Sequence, residues 1–303
     1  MGISVTILGS NSAIPTTERR PTAQIVDVNQ DYTLVDCGEG TQIQLRKYGI
    51  KFQRISRILI SHMHGDHYFG LIGLLNTMHL LCREKDLHIY APAPLQKIIN
   101  IQLEAAHSKL RFNVIYHELS MGNCGVICES KQVDISSTPV KHRIDCFGFV
   151  FQEKSHGINI RKEAIQQHNL TLEEILQVKA GKDVIRESGE LLKNKELIVD
   201  PAPLAKYSFI SDTKPNPSYL DAIQDSDLLY HEATFMNDMS KRANETFHST
   251  TTQAADVALK ANCKRLIIGH FSSRYHSLEP LLNEARQTFK NTELAVEGAV
   301  FNV

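Results

Sequence analysis

Ser61-His62-Met63-His64-Gly65-Asp66-His67 places four metal-binding side chains within six positions. The residues just before it, Arg57-Ile58-Leu59-Ile60, read as a buried strand. A strand ending there and a turn at Gly65 predict a loop from which His62, His64, Asp66 and His67 splay, so that two pairs of ligands face two metal ions. A single histidine in such a place is usually a surface or capping residue. HxHxDH at a strand end is not accounted for that way.

Three more residues stand at predicted strand ends. His142 follows the strand Val133 to Val140, Asp212 follows Tyr207 to Ile210, and His270 follows Arg265 to Ile268 through Gly269. Each alone reads as a turn residue. With the histidine cluster they complete a dinuclear set: His62, His64 and His142 for one ion, Asp66, His67 and His270 for the other, and Asp212 as a bridging carboxylate. Imidazole and carboxylate donors without thiolate suit zinc, and manganese, iron and cobalt accept the same donors.

The rest of the chain frames this site. At 303 residues, 42% hydrophobic and 22% charged, it has the composition of a soluble globular protein able to bury a full core. No apolar run is long enough to span a bilayer, and the chain enters a strand without a basic leader, so a cytoplasmic protein is expected. The six cysteines are scattered without a paired framework, as reduced thiols would be. Cys124 and Cys128 have no second pair to complete a zinc knot and are read as structural. Net charge is −1, so a polyanion must be held by local groups and not by a global basic field.

Strand signals run through Ile3 to Leu8, Ala23 to Val28 and Tyr32 to Val35, then a helix over Thr41 to Tyr48. After the histidine cluster, Phe69 to Leu81 is apolar almost all round and predicts a buried helix. Strands at Leu87 to Tyr90 and Phe112 to His117 flank a helix from Pro94 to about His107, and Val133 to Val140 and Phe147 to Phe151 follow. From Glu153 to Lys206 the character changes to polar and mixed charge, nine Lys/Arg against nine Asp/Glu, with a Thr171/Glu174 capping box opening a short helix. This segment reads as an insertion. Strand and helix signals then alternate to a last strand over Leu294 to Val303. Two strand-rich halves, each bringing helices, predict an α/β sandwich of two sheets with helices on both outer faces.

The chain resembles the metallo-β-lactamase superfamily and, within it, the ribonuclease Z family of tRNA 3′-processing endonucleases. SHMHGDHYFGL at 61–71 is similar to the long metal motif. Pro139 to Arg143, Phe209 to Thr213, His231 to Phe235, Phe247 to Thr250 and Gly269 to Tyr275 match the later motifs in order. The HEATF, HST and HFSSRY segments separate this family from thioester hydrolases and lactamases. The resemblance implies one αββα domain over residues 1–303, with residues 153–206 as a flexible tRNA-binding arm. Residues 168–174 lack the Gly-Pro pair of many short bacterial arms, whereas Lys179 to Val184 is similar to an arm's tail.

The resemblance further implies an enzyme with two zinc ions per subunit that cuts precursor tRNA. It leaves a 3′-hydroxyl on the tRNA and a 5′-phosphate on the trailer. Asp66 would both coordinate an ion and accept a water proton. His248 would protonate the leaving oxygen, with Glu232 as its partner. A homodimer is implied, the arm of one subunit serving the other's site. His231 reads as a packed strand-end residue, and His79, His88, His107, His117, His156, His168 and His276 have no motif support. Competing readings are a hydrolase of small phosphodiesters or aryl esters on the same site, and a non-catalytic RNA-binding metal protein.

Overall fold

A computed structural model describes residues 2–155, 157–200 and 203–303; Met1, His156, Pro201 and Ala202 lie outside the described residues. Alternation along the strands sets how the body, residues 1–153 and 205–303, is layered. Val26, Val35, Leu59 and Tyr90 share a core with Phe147, Phe149, Phe151, Tyr207 and Phe209 of a second sheet. Their chain neighbours Ile25, Leu34, Ile58 and Ile89 pack instead with Leu45, Leu71, Leu74, Met78 and Leu95 from helices. One residue's step along a strand exchanges the two environments, because successive side chains leave opposite faces. The body is therefore the αββα sandwich the sequence predicts.

The first sheet runs in the order Val300–Asn302, Ile3–Gly9, Ala23–Val28, Asp31–Val35, Ile55–Leu59, Leu87–Pro92 and Val114–Leu119. The second runs Thr292–Leu294, Leu266–Gly269, Leu228–Glu232, Lys206–Ile210, Phe147–Glu153, Val133–Pro139 and Gly125–Glu129. Asp31–Val35, Ile55–Leu59 and Leu87–Pro92 are mutually parallel. So are Lys206–Ile210, Leu228–Glu232 and Leu266–Gly269. Parallel strands release their chains at one edge, which is where open α/β sheets place ligands.

Residues 154–204 form a second compact unit with its own small core of Ala164, Leu170, Val178, Val184, Leu192 and Leu197. The helix Leu172–Lys179 opens with the expected box, Thr171 Oγ1 accepting from the Glu174 N–H and the Glu174 carboxylate from the Thr171 N–H. Arg186 Nε donates to Glu174 Oε1 at 2.8 Å and joins the cap to the hairpin of Val184–Ile185 and Leu191–Leu192.

Several local readings change. Asp66 and His67 do not splay from a loop: Gly65–Tyr68 is a short helix that begins directly after His64. The apolar run beyond it is not buried all round, since the helix spans Leu71–Leu80 with Phe69 62% and Leu80 77% exposed. The predicted final strand is two strands in different sheets, Thr292–Leu294 beside Leu266–Gly269 and Val300–Asn302 antiparallel to Ile3–Gly9. The chain turns between them at Gly298, whose φ is 88°. Strand Gly125–Glu129 and helix Ser240–Thr246 carry no clear periodicity and escape the sequence reading.

Gly70 seats the helix Leu71–Leu80 under the histidine cluster. Its N–H donates to Cys37 O at 2.9 Å, and a Cβ at this position would lie 2.1 Å from Gly38 O. Backbone cannot yield as a side chain can, so Gly70→Ala is expected to cost about 1–3 kcal/mol in urea unfolding. Gly73→Ala on the same helix meets only the movable Gln42 amide at 3.2 Å. It should be neutral or stabilising by up to about 1 kcal/mol, because alanine favours the helix. Equal losses for both variants would show that close backbone approach is not what fixes Gly70.

Candidate metal centre

Strand ends deliver the site from both sheets. Ile55–Leu59 leads to Ser61 and His62, and Asp31–Val35 leads to Asp36, whose φ of 55° turns the chain sharply. In the second sheet Lys206–Ile210 leads to Asp212, Leu228–Glu232 ends on Glu232, and Leu266–Gly269 leads to His270, with φ 58°. The helix Ser240–Thr246 stops at Phe247 in a left-handed conformation, φ 61°, and the next residue is His248. Gly269 leaves no room for a side chain, because a Cβ would meet the Tyr230 hydroxyl at 2.3 Å and its ring at 2.6 Å.

Two ligand groups result. His62, His64, His142 and Asp212 offer donor atoms within 4.8 Å of one another, as do Asp66, His67 and His270. Asp212 faces both: Oδ2 lies 3.6 Å from His62 Nε2 and 3.9 Å from His142 Nε2, while Oδ1 lies 3.3 Å from His67 Nε2 and 3.1 Å from His270 Nε2. Asp66 Oδ2 is 3.5 Å from both His67 Nε2 and His270 Nε2, and accepts the Ala13 N–H at 2.8 Å. His248 also groups with Asp212 and His270. His64, Asp66, His142, Asp212, His248 and His270 line an open cavity of about 440 Å³.

Four of the five ligand imidazoles have their outer nitrogen engaged, while His64 turns Nδ1 toward His62 and His142. His67 Nδ1 donates to Asp36 Oδ2 at 2.7 Å, and Asp36 also takes the Ser61 N–H and hydroxyl. His142 Nδ1 donates to Phe247 O at 3.1 Å, and His62 Nδ1 lies 3.0 Å from Ser61 Oγ. His270 Nδ1 lies 3.0 Å from Thr234 Oγ1, which donates to Glu232 Oε2 at 2.7 Å. Each arrangement engages Nδ1 and turns Nε2 inward, the outer-shell pattern of metal-binding histidines. Sequence reasoning missed Asp36, Ser61 and Thr234. Asp36 had a readable signal, an aspartate at a strand end before Gly38 and Gly40, like Asp212 after its own strand.

The electrostatics ask for cations. Asp36, Asp212 and Glu232 are buried and Asp66 stands beside them with its side chain 10% exposed, and among the described residues none of their named partners is Lys or Arg. Burial works to raise Asp66 and Asp212, but the surrounding imidazoles outweigh it and hold both below the ordinary carboxylate range. Burial works to lower His67, and Asp212, Asp66 and Asp36 outweigh it and hold it high. His62, His64 and His142 are pushed down chiefly by burial, which keeps their lone pairs available. His67 Nε2 and His270 Nε2 are buried without a hydrogen-bond partner. Buried charge and orphaned nitrogen together fit divalent cations.

Glu232 forms the second feature of the site. It is buried and accepts from the Thr213, Thr234 and Ser249 N–H groups, while Oε1 lies 3.0 Å from His248 Nδ1. His231 points elsewhere, with Nε2 3.1 Å from Tyr219 OH and Nδ1 2.7 Å from Glu232 O. Of the histidines without motif support, His88 and His117 pair with each other at 2.9 Å and belong to neither ligand group, and His156 lies outside the described residues.

A protein named ribonuclease Z from Cytophaga hutchinsonii is 43% identical over 304 residues, covering 100% of this chain and 97% of its own. Another of that name, from Bacteroides thetaiotaomicron, is 40% identical over 297 residues, covering 98% and 94%. The chain belongs to the ribonuclease Z family. Among solved structures, human tRNase Z, short form, superposes with a TM-score of 0.73 at 27% identity, covering 98% of each chain. A family model described as anti-Pycsar protein Apyc1 also matches residues 3–178.

If Asp212 joins the two ligand groups, its removal should reach both. Asp212→Ala is expected to lower bound divalent metal per chain, measured by elemental analysis after dialysis, and to abolish phosphodiester cleavage. Full metal content with a near-normal rate would remove Asp212 from the centre.

Proposed function

We propose that the chain is a metal-dependent endoribonuclease that removes the 3′ trailer from precursor tRNA, leaving a 3′-hydroxyl on the tRNA. The carrying observation is the juxtaposition of Asp212, one oxygen toward each ligand group, with His248 on the same cavity wall, backed by the buried Glu232. The family relationship supports tRNA as substrate, since relatives bear the names ribonuclease Z and tRNase Z. His62, His64 and His142 would hold one ion and Asp66, His67 and His270 the other, with Asp212 bridging. Nitrogen and oxygen donors without thiolate favour zinc for both.

Divalent cations in these positions supply Lewis acidity toward phosphate oxygens and make water acidic enough to attack near neutral pH. The chain's own residues do the rest. Asp66, held as a carboxylate on the cavity wall, accepts the proton of the attacking water. Burial alone would push His248 down, but the Glu232 carboxylate outweighs it and holds the imidazole up to about 9, so it enters the reaction protonated. Its Nδ1–H stays with Glu232 Oε1, and Nε2 is the atom that gives its proton to the departing 3′ oxygen. Glu232, fixed by three backbone N–H groups, keeps the ring oriented.

The remaining parts of the reading follow the family resemblance. Residues 153–206 would be the arm that grips tRNA, and a homodimer would bring one subunit's arm to the other's site. No helix among the described residues is long and apolar enough to cross a membrane, and the six cysteines are free. Free thiols suit a reducing compartment, and we place the protein in the cytoplasm.

Incubating the pure protein with a precursor tRNA of known trailer and mapping both product ends tests the reading directly. A 3′-hydroxyl on the tRNA and a 5′-phosphate on the trailer are expected. Hydrolysis of bis(p-nitrophenyl) phosphate without precursor cleavage would make it a small-phosphodiester hydrolase. Binding without any cleavage would make it an RNA-binding metal protein. His248→Ala should retain its metal and its tRNA binding yet lose about 10²- to 10⁴-fold in rate, the range for a positioned acid. Loss of metal would mean that His248 is a ligand. Replacing residues 155–198 with a short Gly/Ser linker should leave small-diester hydrolysis within a few-fold while kcat/KM for precursor tRNA falls about a hundredfold, roughly 2.7 kcal/mol. Unchanged precursor processing would reduce the segment to a tolerated insertion.

A further inference from the structure

With a net charge of −1, the chain must hold a polyanion through particular side chains. Apart from the clustered ligands and His248, three charged residues line the cavity among the described residues: Arg143, Arg242 and Glu39. The two arginines meet at one acidic residue. Arg143 Nη2 donates to Glu245 O at 3.2 Å, and Arg242 Nη1 lies 3.9 Å from Glu245 Oε2. The first contact uses one of five guanidinium donors. The second is a loose pair between side chains more than half exposed, and such pairs contribute little. Both guanidiniums keep donors for an anion in the cavity.

Their position is not arbitrary. Arg242 lies on the helix Ser240–Thr246, and the turn that ends this helix presents His248. Arg143 follows His142, whose Nδ1 bonds Phe247 O on that same turn. The arginines therefore belong to the His248 wall. In the proposed reaction the P–O3′ bond breaks as water forms the new P–O bond; the water's proton passes to Asp66 and the His248 proton passes to O3′. The nucleotide that carries O3′ is the last one of the mature tRNA, and its own 5′ phosphate continues away along the acid's side.

We infer that Arg143 and Arg242 form a phosphate subsite that holds the RNA backbone one linkage upstream of the scissile bond, at the end that stays with the tRNA. The planar, permanently charged guanidinium suits a phosphate diester. Rim groups of this kind position substrate and contribute to the salt dependence of binding. The inference rests on the proposed endonuclease activity and extends it from chemistry to substrate register.

Coupling between each arginine and one phosphate charge tests it. Wild type, Arg143→Ala and Arg242→Ala are assayed on three precursor tRNAs: unmodified, with one uncharged methylphosphonate (on a 2′-deoxy sugar) just upstream of the cleavage site, and with one just downstream. On the unmodified substrate each variant is expected to lose about tenfold in kcat/KM, and the slope of log kcat/KM against log salt should flatten by about one. On the upstream-neutral substrate wild type is itself slowed, and each substitution should cost less than twofold more, because the interaction is already gone. On the downstream-neutral substrate the tenfold losses should remain. Losses that persist in full on the upstream-neutral substrate would overturn the subsite and leave Arg143 as a strut for the helix that carries His248. Losses that vanish only on the downstream-neutral substrate would overturn the assignment of side. Metal content and thermal midpoint of each variant confirm that it is folded. Wild type failing on the unmodified precursor would sink the endonuclease reading itself, a result separable from all of these.

Discussion

Four clustered carboxylates, three buried and one on the cavity wall, with no lysine or arginine partner among the described residues, are the constraint around which the rest of this protein is organised. Asp36, Asp66, Asp212 and Glu232 repel one another, and removing such charges from water is costly unless an opposite charge meets them. Imidazoles bring them together, and the directions in which Asp66, Asp212 and Glu232 are shifted, down, and His67, up, express one unmet demand for positive charge. Much of the architecture serves to place these groups. Two parallel strand sets release their chains at the cleft edge, and left-handed turns at Asp36, Phe247 and His270 redirect the backbone within one residue.

This arrangement separates two tasks that use the same residue type. His67, His62, His142 and His270 are tied from outside by Asp36, Ser61, Phe247 O and Thr234, so their Nε2 atoms face inward. His248 is tied to a carboxylate that is itself saturated by backbone N–H groups, and its side chain stays 15% exposed on the cavity wall. Thr234 touches both systems, donating to Glu232 while standing 3.0 Å from His270 Nδ1 and 3.3 Å from His248 Nδ1. The acid and the metal-facing ligands thus share one hydrogen-bonded frame.

Much of the fold and of the candidate site was legible in the sequence because strand alternation and strand-end ligands are local signals. Ala23–Val28 and the Thr171/Glu174 cap lie where expected, and His62, His64, Asp66, His67, His142, Asp212 and His270 fall into two neighbouring groups. What escaped was non-local. Asp36 stood at a readable strand end, but its pairing with Ser61 and His67 comes only from Asp31–Val35 lying beside Ile55–Leu59, and Arg242 matters because a helix of weak periodicity docks against the residues after Val133–Pro139. No window of sequence contains those pairings. The final strand misread for a related reason: an apolar run records burial, and it does not say which of two sheets provides it.

That last run has a consequence for the order of assembly. Between its two strands lies Glu297, whose Oε1 accepts the N–H of Arg20, 277 residues earlier, and whose Oε2 accepts from Gln44. Arg20 precedes Pro21, which lines the cavity together with Pro15 and Ala13, and Ala13 supplies the N–H that holds Asp66. A nascent chain on the ribosome therefore displays its histidine motif long before the clasp for the neighbouring wall has been made. Contacts of such sequence separation form late, because a long loop must close before they give any return. The cleft would reach its working shape only as the two seams of the sandwich close, because each ligand group draws on residues from both sheets.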